Sequence, residues 1–227
     1  MNLPLPRLPL RDELYLLGHH DDTGELHLHR QALALGLGGA VLIDLFLAGR
    51  IHLGPHDGAR PRTDQRIRLH TDKPVGDLIT DAALSSIRHT APPLKMWLRT
   101  SSSDMYDRTR AGLVAAGILR QHSRRRLGGL IRADTYQATD SKWAVVARSR
   151  LRYLVAGREQ PDNHTAALAG LTAVLGLAEH LYLDHDTATV TVTKQLTTIA
   201  DQHYQAVRDI TTAVDAAIGD LATAAYR

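Results

Sequence analysis

The sequence contains no cysteine, which excludes disulfide bonds, thiolate metal sites and a cysteine nucleophile. Aromatic residues make up only 4% of the chain, so a hydrophobic core must be built from leucine, alanine and valine. That composition favours helices, because leucine and alanine have high helix propensity. The first ten residues, MNLPLPRLPL, have too short an apolar segment for a signal peptide. We therefore expect a cytoplasmic protein.

The sequence motifs of common enzymes are also missing. No Gly-x-Ser-x-Gly elbow surrounds the serines at 101–103. The glycines at 36–39 lie inside an apolar helical run and are not a dinucleotide fingerprint. The 13 histidines are scattered, and the pair His27 and His29 matches no known metal-ligand spacing. We therefore expect no enzyme, no catalytic residue, no cofactor and no metal site.

The most apolar stretch, Ala32–Leu53, is the element around which we expect the fold to be organised. Leucines recur at helical spacing, and the opposite side is apolar too, so the helix must be covered on most sides. The uninterrupted run is shorter than the ~20 residues of a membrane span and contains Asp44. We interpret it as the buried central helix of a soluble domain, with glycines that admit close neighbours. Burial requires that Asp44 contact a basic side chain or helix N–H groups.

No linker rich in glycine, serine or proline divides the 227 residues, so we predict a single domain over 1–227. We expect a mainly α fold, a helical bundle around the central helix with short β-hairpins. Turn residues predict hairpins near Asp22–Gly24 and at 124–129, and alternation predicts short strands at 51–53 and 66–70.

Hydrophobic periodicity and capping residues predict the helices that follow. We expect Ser101–Asp104 to separate a helix that starts at Lys95–Arg99 from one at Met105–Ala116. Further helices are predicted at Lys142–Val155 and His164–Leu183. The C-terminal segment, 187–227, predicts one long amphipathic helix or two in line.

Charge is distributed unevenly along the chain. Residues 1–158 contain 24 basic and 15 acidic residues, whereas residues 159–227 contain three basic and nine acidic ones. This asymmetry indicates a basic face directed at something anionic, such as nucleic acid, phospholipid head groups or an acidic partner.

Two functional hypotheses follow from the residues alone. A nucleic-acid-binding winged helix is indicated by the order of three elements: a helix, Gly117–Leu119 and a basic hairpin at Arg120–Arg132. The helix that precedes the hairpin offers only Arg108 and Arg110 as contacts to nucleic acid. The alternative is a protein-interaction module that binds a partner through the acidic C-terminal segment.

A collinear set of segments carries a family resemblance. The segments are LPLRDELYLLG at 8–18, ALGLGGAVLIDLFLAGRIHL at 34–53, DKPVGD at 72–77, 112–119 with the basic hairpin, and 166–183. In order and spacing they resemble the Golgi phosphoprotein 3 (GPP34-like, phosphatidylinositol 4-phosphate-binding) family over roughly 8–183, whereas 187–227 matches poorly. The arginine-rich composition is typical of a bacterial member from a high-GC genome.

The resemblance implies a mostly helical domain with a protruding β-hairpin arm used in self-association. It also implies a peripheral membrane adaptor on the cytoplasmic face, which binds a phosphoinositide or other anionic lipid head group. In the family the head-group pocket uses a tryptophan and an arginine at the positions of His29 and Gly38, so the resemblance does not specify the lipid. Two further basic pocket positions fall near Val146 and Ser149.

Neighbouring basic residues are therefore our candidates for the lipid site. The head-group candidates are His29, Arg30, Arg148, Arg150 and Arg152. The candidates for the oligomerisation arm are Arg124, Arg125, Arg126 and Leu127. We expect an anionic phospholipid and a second copy of the chain as partners, with an unidentified protein partner, and we regard nucleic acid as the less favoured ligand.

Overall fold

A computed structural model describes residues 7–55, 61–126, 131–181 and 188–225. This part of the chain is mainly α-helical, with two separate antiparallel strand pairs, as predicted. The helices are α1 (Leu10–Leu17), α2 (Arg30–Leu47), α3 (Leu78–Thr90), α4 (Leu94–Ala115), α5 (Lys142–Val155), α6 (Asn163–Val174), α7 (Thr189–Asp201) and α8 (Gln205–Ala225). The strands are β1 (Ile51–Leu53), β2 (Ile67–Leu69), β3 (Leu119–Arg126) and β4 (Ile131–Ala138).

Helix α2 is the centre of the hydrophobic core. It packs against α1, α4, α6 and α8, and its leucines, valine and isoleucine at 33–45 are buried. By length and composition α2 could cross a membrane, yet 67% of it is buried inside the protein. The prediction of a buried central helix is confirmed.

Two glycines of α2 allow its neighbours to approach closely. A Cβ atom on Gly36 would lie 2.6 Å from Leu175 Cδ1, and one on Gly39 would lie 2.6 Å from Val214 Cγ2. Both distances are shorter than normal carbon contacts, so a larger residue at either position would force the Leu175 or Val214 side chain to move. Gly38 is different, because its added Cβ would make only an ordinary contact with Leu98, at 3.5 Å.

Asp44 acts as a cap for a neighbouring helix. Its Oδ2 accepts a hydrogen bond of 3.1 Å from the backbone N–H of Leu10, the first residue of α1. Pro9, which precedes α1, offers no side-chain acceptor, so Asp44 replaces the usual capping residue. Burial raises the pKa of Asp44 to about 6, although His164 and the Leu10 N–H favour the charged carboxylate and lower its pKa. The predicted contact with helix N–H groups is confirmed.

The predicted division of α4 into two helices is wrong. The helix runs unbroken from Leu94 to Ala115 through the serines that we expected to cap a second helix. Ser102 Oγ donates to the Arg99 carbonyl at 3.0 Å, and Ser103 Oγ donates to the Thr100 carbonyl at 3.2 Å. Serine can bond to the preceding turn of its own helix as readily as it can cap a new one, and these serines do so.

The hairpin predicted around Asp22–Gly24 is only partly formed. The chain turns back there with one isolated antiparallel bridge, His19 to Leu26, and the His20 N–H donates to the Glu25 carbonyl at 2.8 Å. The pairing does not extend into strands, and Leu26 and Leu28 pack partly buried against the core. Gly24 has φ +69°, and a Cβ there would lie 2.1 Å from the Tyr136 carbonyl oxygen, so the loop packs directly on β4.

The remaining elements largely follow the predictions. Strands β1 and β2 pair with Ile51 opposite Leu69, and β3 and β4 pair with Leu119 opposite Ala138. Helix α5 has the predicted bounds. Helix α6 ends earlier than predicted, at Val174, because the chain turns at Gly176 with φ +68° before a short 3-10 helix at Leu177–Leu181. The C-terminal segment forms two helices, whose buried faces pack on the core.

The cap provided by Asp44 can be tested by two substitutions. We expect Asp44→Ala to lower the free energy of unfolding by about 1–2 kcal/mol, because the Leu10 N–H loses its acceptor. Asp44→Asn should cost less, because its amide oxygen can still accept this bond and carries no charge to desolvate. Chemical denaturation of both variants at neutral pH measures the difference, and equal losses would contradict the capping role.

Candidate functional site

A cleft lies where the N-terminal end of α2 meets α4 and the C-terminal part of α8. Its volume is about 630 Å³, within the usual range for small-ligand sites. Helices α2 and α4 contribute Arg30, Gln31, Ala34, Leu35, Arg99, Ser102, Ser103 and Tyr106. Helix α8 contributes Ala217, Asp220, Leu221 and Ala224. We call this site the α2–α4–α8 cleft.

Basic side chains outnumber carboxylates around the cleft. Arg30 is hydrogen-bonded to Asp107, which also accepts a bond of 2.7 Å from Arg110. Across the cleft, Asp220 is paired with Arg99 and with the Lys95 ammonium. The four cations and two carboxylates leave a net positive charge that favours an anionic ligand.

The end of α2 adds to the positive potential. The first turn of this 18-residue helix contains no acidic residue, and its N-terminal residues Arg30 and Gln31 line the cleft. His29 caps the helix, because its Nδ1 accepts from the Gln31 N–H at 3.3 Å. Free N–H groups and the helix dipole make such an end favourable for anions.

Tyr106 borders the cleft and is fixed by a buried hydrogen-bond network. His19 Nδ1 lies 2.6 Å from the Tyr15 carbonyl, which can only accept, so Nδ1 carries the proton. His19 Nε2 must then accept from the Tyr106 hydroxyl, at 2.9 Å. Burial lowers the pKa of His19 to about 4 and raises that of Tyr15 above its ordinary value. The His19 and Tyr15 side chains that support Tyr106 are therefore uncharged at physiological pH.

The Tyr106 ring also orients the cations. The Arg30 guanidinium lies 4.6 Å from the ring centroid, and that of Arg110 lies 5.6 Å from it. Both distances are within the range of cation–π attraction. On the α8 side Ala217, Leu221 and Ala224 form an apolar lining beside Asp220. The cleft can thus hold a ligand with an anionic group at one side and an apolar part at the other.

The five predicted head-group residues do not share one surface. Arg30 lines the cleft, and His29 caps the helix that begins beside it. Arg148 is buried and bonds both oxygens of Asp21, at 2.5 and 2.8 Å. Arg150 is paired with Glu13. Arg152 is exposed on α5.

The ion pairs of Arg148 and Arg150 connect α5 to other parts of the fold. Arg148 connects α5 to the loop before α2, and Arg150 connects α5 to α1 through Glu13. The second oxygen of Glu13 lies 3.2 Å from His164 Nε2 on α6. These guanidinium groups therefore serve internal ion pairs in the structure.

Close to the turn, the structure describes only the backbone of the predicted arm. Leu127 lies outside the described residues, as do the side chains of Arg124, Arg125 and Arg126. The base of the hairpin is anchored, because Gln137 donates to the Asp22 carbonyl. Within the described residues, no group of three or more histidine or acidic side chains is arranged to hold a metal ion.

Most residues of the cleft were not predicted from the sequence. Arg99, Ser102, Ser103 and Tyr106 occupy positions i, i+3, i+4 and i+7, which places them on one face of a continuous helix. The incorrect helix break at the serines concealed this face. Asp220 carried no local signal, because its partners Lys95 and Arg99 lie more than 100 positions earlier in the chain.

The internal ion pair of Arg148 can be tested against an exposed arginine of the same helix. We expect Arg148→Ala to lower the free energy of unfolding by about 3 kcal/mol, because Asp21 loses a partner in a partly buried site. Arg152→Ala should change it by less than about 0.5 kcal/mol, as is usual for exposed positions. Equal, small changes in thermal or chemical unfolding would contradict the structural role of Arg148.

The buried state of His19 predicts a dependence of stability on pH. In the unfolded chain His19 takes up a proton near pH 6.5, whereas the folded protein does so only near pH 4. Its contribution to stability should therefore fall as the pH is lowered between these values, by about 3 kcal/mol in total. The contribution of His19 is isolated by the difference in unfolding free energy between wild type and His19→Asn, because the other buried titratable groups, such as Asp12 and Asp44, are common to both proteins. A pH-independent difference would contradict this account.

Comparison with known proteins places these features in a family. The sequence profile of the Golgi phosphoprotein 3 (GPP34) family matches residues 10–217. Vacuolar protein sorting-associated protein 74 of Schizosaccharomyces pombe is 27% identical over 136 residues. That match covers 52% of this chain and 40% of the yeast protein, so the chain matches less than half the length of this relative. With most of its length matched by the profile, this chain belongs to the Golgi phosphoprotein 3 (GPP34) family.

Proposed function

We propose that this protein is a peripheral membrane adaptor that binds the phosphorylated head group of an anionic phospholipid in the α2–α4–α8 cleft. The observation that carries the proposal is the convergence of Arg30, Arg99 and the Ser102 and Ser103 positions on one cleft at a helix N-terminus. Arginine donates short, charge-assisted hydrogen bonds to phosphate oxygens. The two serine hydroxyls already donate to carbonyls of their own helix, so they provide a small, polar wall.

Family membership supports a role in membrane traffic. The yeast relative is named for vacuolar protein sorting, and the family resemblance implies adaptors that recognise phosphatidylinositol 4-phosphate. The basic excess over residues 1–158 would add attraction to a negatively charged cytoplasmic leaflet. Association at the surface agrees with the burial of α2 in the core.

We place the head group in the cleft rather than beside α5. Arg148 and Arg150 are occupied by Asp21 and Glu13, so a lipid phosphate there would have to break partly buried ion pairs. The cations of the cleft are more accessible, because the side chains of Arg30 and Arg99 are 50% and 55% exposed. Their ion pairs with Asp107 and Asp220 can rearrange in solvent at small cost.

The β3–β4 hairpin is the element that we propose for self-association. Its base is anchored to the loop before α2, and the described residues 120–123 are exposed beyond that anchor. An arm of this kind offers a strand edge to a second copy of the chain. Sedimentation of the full chain with and without substitutions at 124–126 would measure the effect on oligomeric state, and an unchanged state would contradict the proposal.

Vesicle co-sedimentation tests the lipid site. We expect tighter binding to phosphatidylcholine vesicles doped with phosphatidylinositol 4-phosphate than to vesicles doped with phosphatidylinositol or phosphatidylserine at the same molar fraction. Arg30→Ala and Arg99→Ala should each weaken binding about fivefold, the value of one basic residue near an anionic surface.

Arg152→Ala is the matched control, because it removes the same charge from an exposed site on α5. Its binding should stay close to that of wild type. Loss of binding in this variant, with none in the Arg99 variant, would move the site to α5 and contradict the assignment to the cleft. Equal binding to all anionic vesicles would contradict recognition of the phosphomonoester.

A further inference from the structure

Asp220 is an acidic residue placed in a cleft that otherwise suits an anion. Its carboxylate lies 2.6 Å from the Lys95 ammonium and is hydrogen-bonded to the Arg99 guanidinium. Asp220 lines the cleft itself, on the α8 side, together with Ala217 and Leu221. The Asp220 carboxylate is thus paired with two of the cations around the cleft.

The contacts of Asp220 are those that a phosphate group would make. Carboxylate and phosphate oxygens both accept charge-assisted hydrogen bonds from arginine and lysine. The Lys95 and Arg99 contacts hold the pKa of Asp220 below its usual range, so the carboxylate stays charged at physiological pH. A ligand that reaches Arg99 must therefore compete with a negative charge already bound there.

Helix α8 is anchored in the core by residues other than Asp220. Val207, Ile210 and Val214 are buried. The Asp220 side chain is 41% exposed, and those of Arg99 and Lys95 are 55% and 25% exposed. Ion pairs that reach solvent contribute little to folding, so we expect these to open without loss of the fold.

We propose that Asp220 is an internal competitor that lowers the affinity of the cleft for anionic head groups. The proposal rests on the lipid-binding function proposed above. A phosphomonoester carries nearly two negative charges and can displace the carboxylate from Lys95 and Arg99. The free energy needed to open these ion pairs is subtracted from the binding of every ligand that displaces Asp220.

The test compares two substitutions in the full chain, each of which removes one negative charge from α8. Asp220→Asn removes the competitor, and Asp215→Asn removes an exposed carboxylate that does not line the cleft. Binding is measured to phosphatidylcholine vesicles doped with phosphatidylinositol 4-phosphate or with phosphatidylinositol. Thermal unfolding of both variants confirms that they are folded.

We expect Asp220→Asn to bind phosphatidylinositol 4-phosphate vesicles about fivefold more tightly than wild type. The gain on phosphatidylinositol vesicles should be no larger, because removal of the competitor returns at most the free energy of opening the same ion pairs. Asp215→Asn should show a smaller gain on both kinds of vesicle. Inorganic phosphate should displace the protein from vesicles only weakly, because the lipid surface adds attraction that a free anion lacks.

The outcomes separate the two proposals. If wild type binds the vesicles but both variants gain equally, the role of Asp220 as competitor is contradicted and the proposed function stands. Weaker binding by Asp220→Asn would show that Asp220 positions the cations, which also overturns the inference. If none of the three proteins binds any vesicle, the proposed function itself fails. Strong displacement by inorganic phosphate would identify a free anion, not a lipid, as the ligand.

Discussion

The structure depends on the burial of a helix that is apolar on nearly every side. Because α2 has no polar face to leave in solvent, it must be covered by other helices, and α1, α4, α6 and α8 supply that cover. The absence of a side chain at Gly36 and Gly39 lets the end of α6 and helix α8 lie close to α2. Its N-terminal end, with Arg30 and Gln31, lines the cleft between two of the covering helices. The core thus determines where the cleft is.

Polar contacts then fix the covering helices relative to α2. Asp44 reaches from α2 to the first N–H of α1, and Arg148 and Arg150 connect α5 to the loop before α2 and to α1. Arg148 and Arg150 are counted in the basic excess of residues 1–158, but both are already paired with carboxylates. The net charge of the sequence therefore overstates how much positive charge is available to a ligand. Exposed cations such as Arg30 and Arg99 are a better measure of that charge.

Local patterns in the sequence were sufficient for most of the fold. The central helix, the bounds of α5 and both described strand pairs follow from apolar periodicity and turn residues, which depend on near neighbours in the chain. The errors arose where one pattern has two structural solutions. Alternating leucines at 26 and 28 pack from a loop, and the serines of α4 bond to their own helix.

The candidate site was harder to predict for a related reason. Arg30 was identified from the sequence, but its partners in the cleft come from α4 and α8, which are distant in the chain. The arginines grouped by short spacing on α5 lie instead in different environments, because Arg148 is buried, Arg150 is paired with Glu13 and Arg152 is exposed. Closeness in the sequence therefore grouped side chains that do not share a site.

The central claim is that the α2–α4–α8 cleft holds a lipid phosphate. A crystal structure of the protein with a short-chain phosphatidylinositol 4-phosphate tests it most directly. The account predicts that the phosphomonoester lies within hydrogen-bonding distance of the Arg30 and Arg99 guanidinium groups, with Asp220 turned away from Lys95. A phosphate bound beside Arg152 on α5, with the contacts of the cleft unchanged, would contradict it.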